Sequence, residues 1–155
     1  MDQTQDKIYL TQEGFEKLEK ELKNLISVKR PQVIERIAQA RQATSSPDNL
    51  ELDTAIQEQS FVEGRISDLT EILKRAQIIS PKIGQKVVSL GSTVVVEVEG
   101  EKDEFTLVGS LEADPSRGLI SNESIVGKAL LGAKVGDVVT VASAIKTTYK
   151  ILQIK

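Results

Sequence analysis

Residues 44–49 have the sequence TSSPDN and separate two helical patterns in the first half of the chain. Serine, aspartate and asparagine compete with a helix for backbone hydrogen bonds and proline fixes φ, so this run predicts a turn. Two amphipathic helices joined by so short a turn bury their apolar faces by pairing antiparallel. The stretch therefore predicts a helical hairpin with residues 44–49 at its tip.

On the N-terminal side of the turn, apolar residues recur three and four positions apart, behind a possible cap at Thr11. This seam consists of Phe15, Leu18, Leu22, Leu25, Val33, Ile37 and Ala40. Pro31 interrupts the pattern and would cost roughly 3 kcal/mol in an unsupported helix interior. It either kinks one long helix or begins a second one. Because the seam resumes beyond Pro31, we expect one kinked helix.

The second arm follows the turn and repeats the helical spacing. Its predicted seam consists of Ile56, Val62, Ile66, Leu69, Leu73 and Ala76. With ~30 residues per arm and 1.5 Å per residue, the hairpin would be roughly 45 Å long. The same seam would suit a probe that enters a groove in a partner or a dimerisation element, and spacing alone does not choose between them.

The composition changes at Ser80, where we predict the boundary between a hairpin domain, residues 1–79, and a β-rich domain, residues 80–155. Strands are predicted at 93–98, 104–108, 138–141 and 149–154, with a charged turn at 99–103 between the first two. Ser124 is a candidate cap for a short helix that runs to about Leu131 and ends at Gly132. The predicted fold class is α+β, a long antiparallel two-helix coiled-coil hairpin followed by a small β-rich domain.

Composition excludes several kinds of site. The chain has no cysteine and no histidine, which excludes disulfides, Cys/His zinc sites and Ser-His-Asp or Cys-His catalysis. A bound metal would need carboxylates and water, which favours magnesium or manganese. With 20 basic and 23 acidic residues, the chain is not one that simply coats nucleic acid. The polar N-terminus and the lack of a long apolar run predict a cytoplasmic protein with no membrane partner.

Two stretches are candidates for function. At the hairpin tip, Asp48, Glu51 and Asp53 could hold a hard divalent cation if another molecule completed the shell. Acidic residues are also common at turns and in the first turn of a helix, where they cap the helix and interact favourably with its dipole. The second stretch, residues 119–126, is either an exposed docking loop or a strand-to-helix connection. In the second case Ile120, Ile125 and Val126 would lie in the core.

The segment from Ala40 to Ile66 resembles the Gre family of bacterial transcription elongation factors. The family pattern A-R-x-x-G-D-L-x-E-N-x-E-Y-x-x-A aligns without a gap on residues 40–55, and E-Q-x-F-x-E-G-R-I matches residues 58–66. The likeness extends over nearly the whole chain. Further similar stretches are residues 10–14, 28–31, 108–114, 120–121 and 129–132.

This resemblance implies an accessory factor, not an enzyme, that binds bacterial RNA polymerase. The hairpin would enter the polymerase's secondary channel and approach the nascent RNA 3′ end indirectly, while an FKBP-like C-terminal domain would sit at the channel rim. In the family the tip acids help hold a second Mg2+, and the metal pair activates water to cut backtracked RNA. Mg2+ is therefore expected only in the polymerase complex, with no cofactor in the free protein, which is expected to be a monomer.

The tip departs from the family pattern. The two key acids of the family fall on Ser45 and Asp48, its glycine on Thr44 and its tyrosine on Leu52. A serine hydroxyl is a much poorer magnesium ligand than a carboxylate. We therefore expect weak or absent stimulation of RNA cleavage, with Asp48 as the metal ligand that is shared with the polymerase.

The residues that the resemblance assigns to the tip, and thus to the approach to the polymerase active centre, are Ser45, Asp48, Asn49 and Glu51. The residues assigned to the polymerase-docking loop are Ile120, Ser121, Ser124 and Ile125, where Ile125 replaces the family's proline. Three alternatives stay open. The chain could block the channel without cleavage, its C-terminal domain could be a prolyl isomerase, or the hairpin could be a coiled-coil assembly module.

Overall fold

The computed structural model describes residues 7–43, 45–81 and 83–155. The chain forms two compact units. The hairpin unit comprises Phe15–Arg75, and the β unit combines the described residues before Phe15 with Ala76–Lys155. The units thus divide after Gly14 and after Arg75, whereas the sequence predicted one boundary at Ser80.

The described residues form four α-helices and seven strands. The helices are α1 (Gln12–Asn24), α2 (Arg30–Ala43), α3 (Leu50–Arg75) and α4 (Ile125–Leu130). A π-helical segment, Leu25–Lys29, joins α1 to α2. The strands are β1 (Ile8–Thr11), β2 (Ala76–Ile79), β3 (Thr93–Val98), β4 (Glu101–Val108), β5 (Leu119–Ser121), β6 (Val138–Ala142) and β7 (Lys146–Ile154). Single 3-10 turns lie at Ser110–Glu112 and Pro115–Arg117.

Helices α2 and α3 of the hairpin unit pack through the predicted seam. Its buried cluster consists of Val33, Ile37, Ala55, Val62 and Ile66, with Leu22, Leu25 and Leu52 packed against it. The prediction was wrong at Ile56, which is 39% exposed. Ala55 is buried instead, because it lies seven residues before Val62 and therefore on the same helical face. The prediction also failed at Ala76, which begins β2 and not a last helical turn.

The helix continues through Pro31, as predicted, and the π-helical segment precedes it. The N–H of Arg30 donates to the carbonyl of Leu25, five residues back. Leu25 and Val33 are eight residues apart, which would separate them by about 80° on a regular α-helix. The extra residue taken up by the π-turn reduces this angle to about 20° and returns both side chains to the seam. Pro31 thus lies just after the π-helical segment, where the backbone hydrogen bonds already differ from those of a regular α-helix.

The β unit contains a five-stranded sheet in the order β5-β4-β3-β7-β6, in which only the β4–β5 pair is parallel. All four predicted strands are present, but β4 and β7 begin earlier than predicted. The turn between β3 and β4 is only Glu99-Gly100, both with positive φ (52° and 85°), as a two-residue hairpin turn of type I′ requires. The core consists of Val88, Val94, Val96, Leu107, Leu130, Ala133 and Ile151.

Strands β1 and β2 were not predicted. They pair in parallel, with Ile8 opposite Ala76 and Thr11 opposite Ile79. Each has only four residues, and helical seams adjoin both, so period-2 alternation was too short to indicate them. The chain leaves the β unit after Gly14, just beyond β1, and returns to it at Ala76, the first residue of β2.

The start of α1 is capped from two sides. The Thr11 hydroxyl accepts a hydrogen bond from the Gly14 N–H (3.0 Å), as predicted for this cap. The Glu112 carboxylate accepts from the Thr11 N–H (2.6 Å) and from its hydroxyl (2.5 Å). A carboxylate at a helix N-terminus also stabilises the helix dipole. Glu112 therefore fixes the first turn of α1 within the β unit.

In the described ranges, no helix is both long and apolar enough to cross a membrane. The α+β fold class is confirmed, while the FKBP-like description of the β unit stays a prediction.

Candidate functional site

The hairpin tip is a short exposed loop between α2 and α3. Thr44 lies outside the described residues, and Ser45, Ser46, Pro47 and Asp48 are all exposed. The N–H of Asp48 donates to the Ser46 hydroxyl at 3.3 Å. The two side chains at the family's acid positions, Ser45 and Asp48, are thus accessible to solvent, as an approach to a partner requires.

Asn49 behaves differently from the rest of the tip, because it is only 8% exposed. Its Nδ2 donates to the carbonyl of Ala40 (2.9 Å), and its Oδ1 accepts from the N–H of Leu52 (3.1 Å). Its own carbonyl accepts from the N–H of Asp53 (3.0 Å) and so begins α3. The resemblance assigned Asn49 to the surface that approaches the polymerase active centre, but in this structure its side chain bridges the two helix ends.

The acidic residues near the tip lie in two places. Asp48 is in the exposed loop, whereas Glu51 and Asp53 are in the first turn of α3, where their negative charges interact favourably with the helix dipole. Among the residues that the structure describes, no group of three or more Asp and Glu side chains is placed to hold a metal ion. Magnesium demands six oxygen ligands, so any site that includes Asp48 needs ligands from another molecule or from water. The role of Asp48 as a shared ligand stays a prediction.

Bidentate ion pairs connect the two arms of the hairpin. Arg65 donates to both Glu21 oxygens (2.6 and 3.0 Å), and Arg30 donates to both Glu63 oxygens (2.7 and 2.8 Å). The hydrogen bonds from Arg65 lower the pKa of Glu21, and those from Arg30 lower the pKa of Glu63. A further pair joins Arg36 to Glu58 nearer the tip. Partner positions fall along α3 as they rise along the first arm, which fixes the antiparallel pairing.

The Glu21–Arg65 pair should stabilise the hairpin only above acid pH. The folded-state pKa of Glu21 lies below its ordinary value of 4.5, so this contribution is complete above that value and is lost as pH falls through the folded-state pKa. Both side chains are more than a third exposed, so we expect Glu21→Gln to cost only about 0.5 kcal/mol near neutral pH. Urea unfolding of the natural chain and of Glu21→Gln, at neutral pH and at a pH well below the ordinary pKa of glutamate, would measure the difference in their free energies of unfolding. An equal cost at both pH values would contradict this account.

The predicted docking loop is held by a serine network. The Ser124 hydroxyl donates to the carbonyl of Ser121 (2.6 Å) and accepts from the N–H of Gly127 (3.0 Å), which caps α4 as predicted. The Ser121 hydroxyl lies 3.0 Å from that of Ser110. The structure thus brings Ser121 and Ser124 together at one turn, residues 121–124, called the serine turn below.

The two isoleucines of this loop lie in different environments. Ile120 is half-buried against the core, whereas Ile125 is 61% exposed. The interpretation that buried Ile125 in the core was therefore wrong, because Ser124 caps α4 and turns the first side chain of that helix outward. Leu111, the residue after Ser110, is 55% exposed, and its exposure was not predicted. A lone apolar residue between a serine and a glutamate in a turn is the signal that could have indicated it.

Two family models match the chain. The model described as transcription elongation factor, N-terminal, matches residues 8–78, and the model described as transcription elongation factor, GreA/GreB, C-term, matches residues 83–155. The chain belongs to the GreA/GreB family of transcription elongation factors. The resemblance to the Gre family is therefore confirmed.

Curated relatives of this GreA/GreB-family chain agree. It is 48% identical over 158 aligned residues to transcription elongation factor GreA of Acetivibrio thermocellus, with 98% of each chain covered. It is 50% identical over 154 residues to GreA of Thermoanaerobacter pseudethanolicus, covering 96% of this chain and 97% of that one. The crystal structure of GreA factor homolog 1 (Gfh1) of Thermus thermophilus is 30% identical, with 96% of this chain and 99% of that chain covered and a TM-score of 0.45.

Proposed function

We propose that this GreA/GreB-family chain binds bacterial RNA polymerase and inserts the tip of its hairpin into the secondary channel, where it acts on paused or backtracked complexes. The observation that carries the proposal is the tip itself. Its loop, residues 45–48, is exposed at the end of two paired helices, and Asn49 bridges the helix ends behind it. In this proposal the chain is not an enzyme, and the RNA-cleaving activity belongs to the polymerase.

The chemistry of the tip argues for weak or absent stimulation of cleavage. Two-metal hydrolysis needs one ion for the attacking oxygen and one for the leaving oxygen. At the tip only Asp48 offers an anion at a position where the family pattern has a key acid, while Ser45 offers a neutral hydroxyl. A second Mg2+ in the polymerase complex would therefore be held by Asp48, by polymerase carboxylates and by water, and held loosely.

The β unit would dock at the channel rim through the serine turn and the exposed Ile125 that follows it. Ile125 is exposed next to Ser124, so an apolar contact with the polymerase is available there. Such a contact would orient the factor on the polymerase. An FKBP-like fold would not by itself give the β unit an enzymatic activity. An isomerase pocket would need the aromatic residues Phe105 and Tyr149. Their rings pack edge to face on each other, with centroids 6.2 Å apart, and both side chains lie against the core. This arrangement disfavours the prolyl isomerase alternative.

The proposal is tested first by co-purification with polymerase core enzyme and then on backtracked complexes with magnesium. We expect binding, with little shortening of the transcript. A failure to bind, or a stable oligomer formed through the helix seams in sedimentation, would overturn the proposal in favour of an assembly module. The missing acid at Ser45 also favours a channel blocker as second candidate, which would lower abortive synthesis without shortening RNA.

Restoring the missing acid should restore cleavage. We expect Ser45→Asp to accelerate transcript shortening in backtracked complexes by about tenfold, which corresponds to about 1.4 kcal/mol of transition-state stabilisation. Ser46→Asp is the matched control, because it adds the same charge one residue further along the same exposed loop. The rate is read from transcript lengths over time. No gain with Ser45→Asp, or an equal gain with both variants, would show that a lost magnesium ligand is not the cause of weak cleavage.

A further inference from the structure

The side chain of Asn49 connects two helix ends that would otherwise keep unpaired backbone groups. The last four carbonyls of a helix and its first four N–H groups have no partner within the helix. Ala40 is the fourth residue from the end of α2, and Leu52 is the third residue of α3. Asn49 donates to the carbonyl of the first and accepts from the N–H of the second, at 2.9 and 3.1 Å. One carboxamide therefore satisfies one group at each end.

The burial of Asn49 excludes a role in direct contact with a partner. The residue is only 8% exposed, and both polar atoms of its side chain are already engaged inside the hairpin. Ala40, to which it is bonded, is 2% exposed and is the last seam position of α2. To reach a metal or RNA, the carboxamide would have to break both hydrogen bonds and leave this buried position.

We propose that Asn49 is a positioning residue that fixes the loop 45–48 at the hairpin tip. It follows Asp48 directly in the chain, so its link to Ala40 sets the distance between the start and the end of the loop. The link thereby determines where Ser45 and Asp48 stand relative to the seam. That Asn49 fixes the loop does not depend on the proposed function. Only the purpose of the fixed loop, its placement in the polymerase channel, rests on that proposed function.

The two hydrogen bonds can be separated by substitution. Asn49→Asp keeps the oxygen that caps Leu52 and adds a charge that the helix N-terminus favours, but its carboxylate cannot donate to Ala40 at neutral pH. Asn49→Ala removes both bonds. Gln57→Ala removes a carboxamide that is exposed on the same helix and serves as the matched control.

The link is tested first in the free chain by amide hydrogen exchange. With Asn49→Asp, the hydrogen-bonded amides at the tip end of α2 should exchange about fivefold faster, the change that corresponds to one hydrogen bond of about 1 kcal/mol, while amides at the middle of the seam stay unchanged. Gln57→Ala should change neither. Unaltered tip exchange in Asn49→Asp would overturn the inference, and equal acceleration throughout the hairpin would reduce Asn49 to a general stabilising residue.

The consequence for function is tested in the polymerase complex. Fe2+ placed in the polymerase active centre generates hydroxyl radicals that cut a nearby protein backbone, and end-labelled full-length factor reports the position of the cut. We expect the natural chain and Gln57→Ala to be cut within residues 45–51, and Asn49→Asp to bind equally well but to be cut about fivefold less or over a wider range. Equal cutting of Asn49→Asp at equal occupancy would overturn the inference. Absence of cutting in the natural chain would instead overturn the proposed function.

Discussion

Deletion of Ser27 should destabilise the chain by about 3 kcal/mol when Pro31 is present and by less than about 1 kcal/mol when Pro31 is replaced by alanine. Ser27 lies within the π-helical segment, which takes up one extra residue. Its removal leaves Leu25 and Val33 seven residues apart, and both stay on the seam of a regular α-helix. That regular helix would force the proline ring against the carbonyl four residues earlier, which the wider π-turn avoids.

A double-mutant cycle of Ser27 deletion and Pro31→Ala, followed by urea unfolding, measures this coupling. Pro31→Ala alone should change the free energy of unfolding by less than about 1 kcal/mol, because the π-turn already accommodates the ring. Deletion of Glu35 is the control. It rotates one half of the seam by about 100°, so Pro31→Ala should not rescue it. Additive effects of Ser27 deletion and Pro31→Ala would mean that the π-turn and the proline are unrelated.

Substitution of two helical glycines by alanine should have opposite effects. A Cβ on Gly127 would lie 1.9 Å from the carbonyl oxygen of Ser121, which is backbone and has no room to move. We expect Gly127→Ala to cost about 3 kcal/mol, because α4 must move off β5 and the serine turn must open. A Cβ on Gly64 would meet nothing within 4 Å. Gly64→Ala should therefore stabilise α3 by about 1 kcal/mol, the difference in helix propensity.

Chemical denaturation of both variants, followed by circular dichroism, gives the two free energies. The pair is its own control, since both changes add one methyl group to a helical glycine. If the β unit docks on the polymerase through Ile125, Gly127→Ala should also weaken binding at a temperature where the variant is still folded. A stable Gly127→Ala variant would show that the contact between α4 and the Ser121 carbonyl is looser than in this structure.

The hairpin was predictable because its sequence pattern is long. Seven apolar positions in the first arm repeat the helical period, and residues 44–49 interrupt it with residue types that favour a turn over a helix. The choice between Ala55 and Ile56 was not predictable from hydrophobicity, since isoleucine is the more apolar. The seam takes the smaller residue because it has the right angular position, seven residues before Val62.

The candidate site was predicted in part. The exposure of Ser45 and Asp48 follows from a polar turn, and the structure agrees. The role of Asn49 did not follow, because an asparagine in a turn looks the same in sequence whether it faces solvent or bridges two helix ends. Only the position of Ala40, nine residues earlier in the chain, reveals the bridge. Tertiary contacts of this kind have no local sequence pattern.

The parallel pairing of β1 with β2 makes the hairpin a replaceable cassette. The chain departs after Gly14, just beyond β1, and comes back at Ala76, the first residue of the neighbouring strand β2. A segment whose two ends are anchored side by side can be exchanged with little disturbance to its host. Chimaeras joined after Gly14 and after Arg75 should therefore fold with hairpins from other family members, and hairpin tips of different chemistry can evolve on one unchanged β unit.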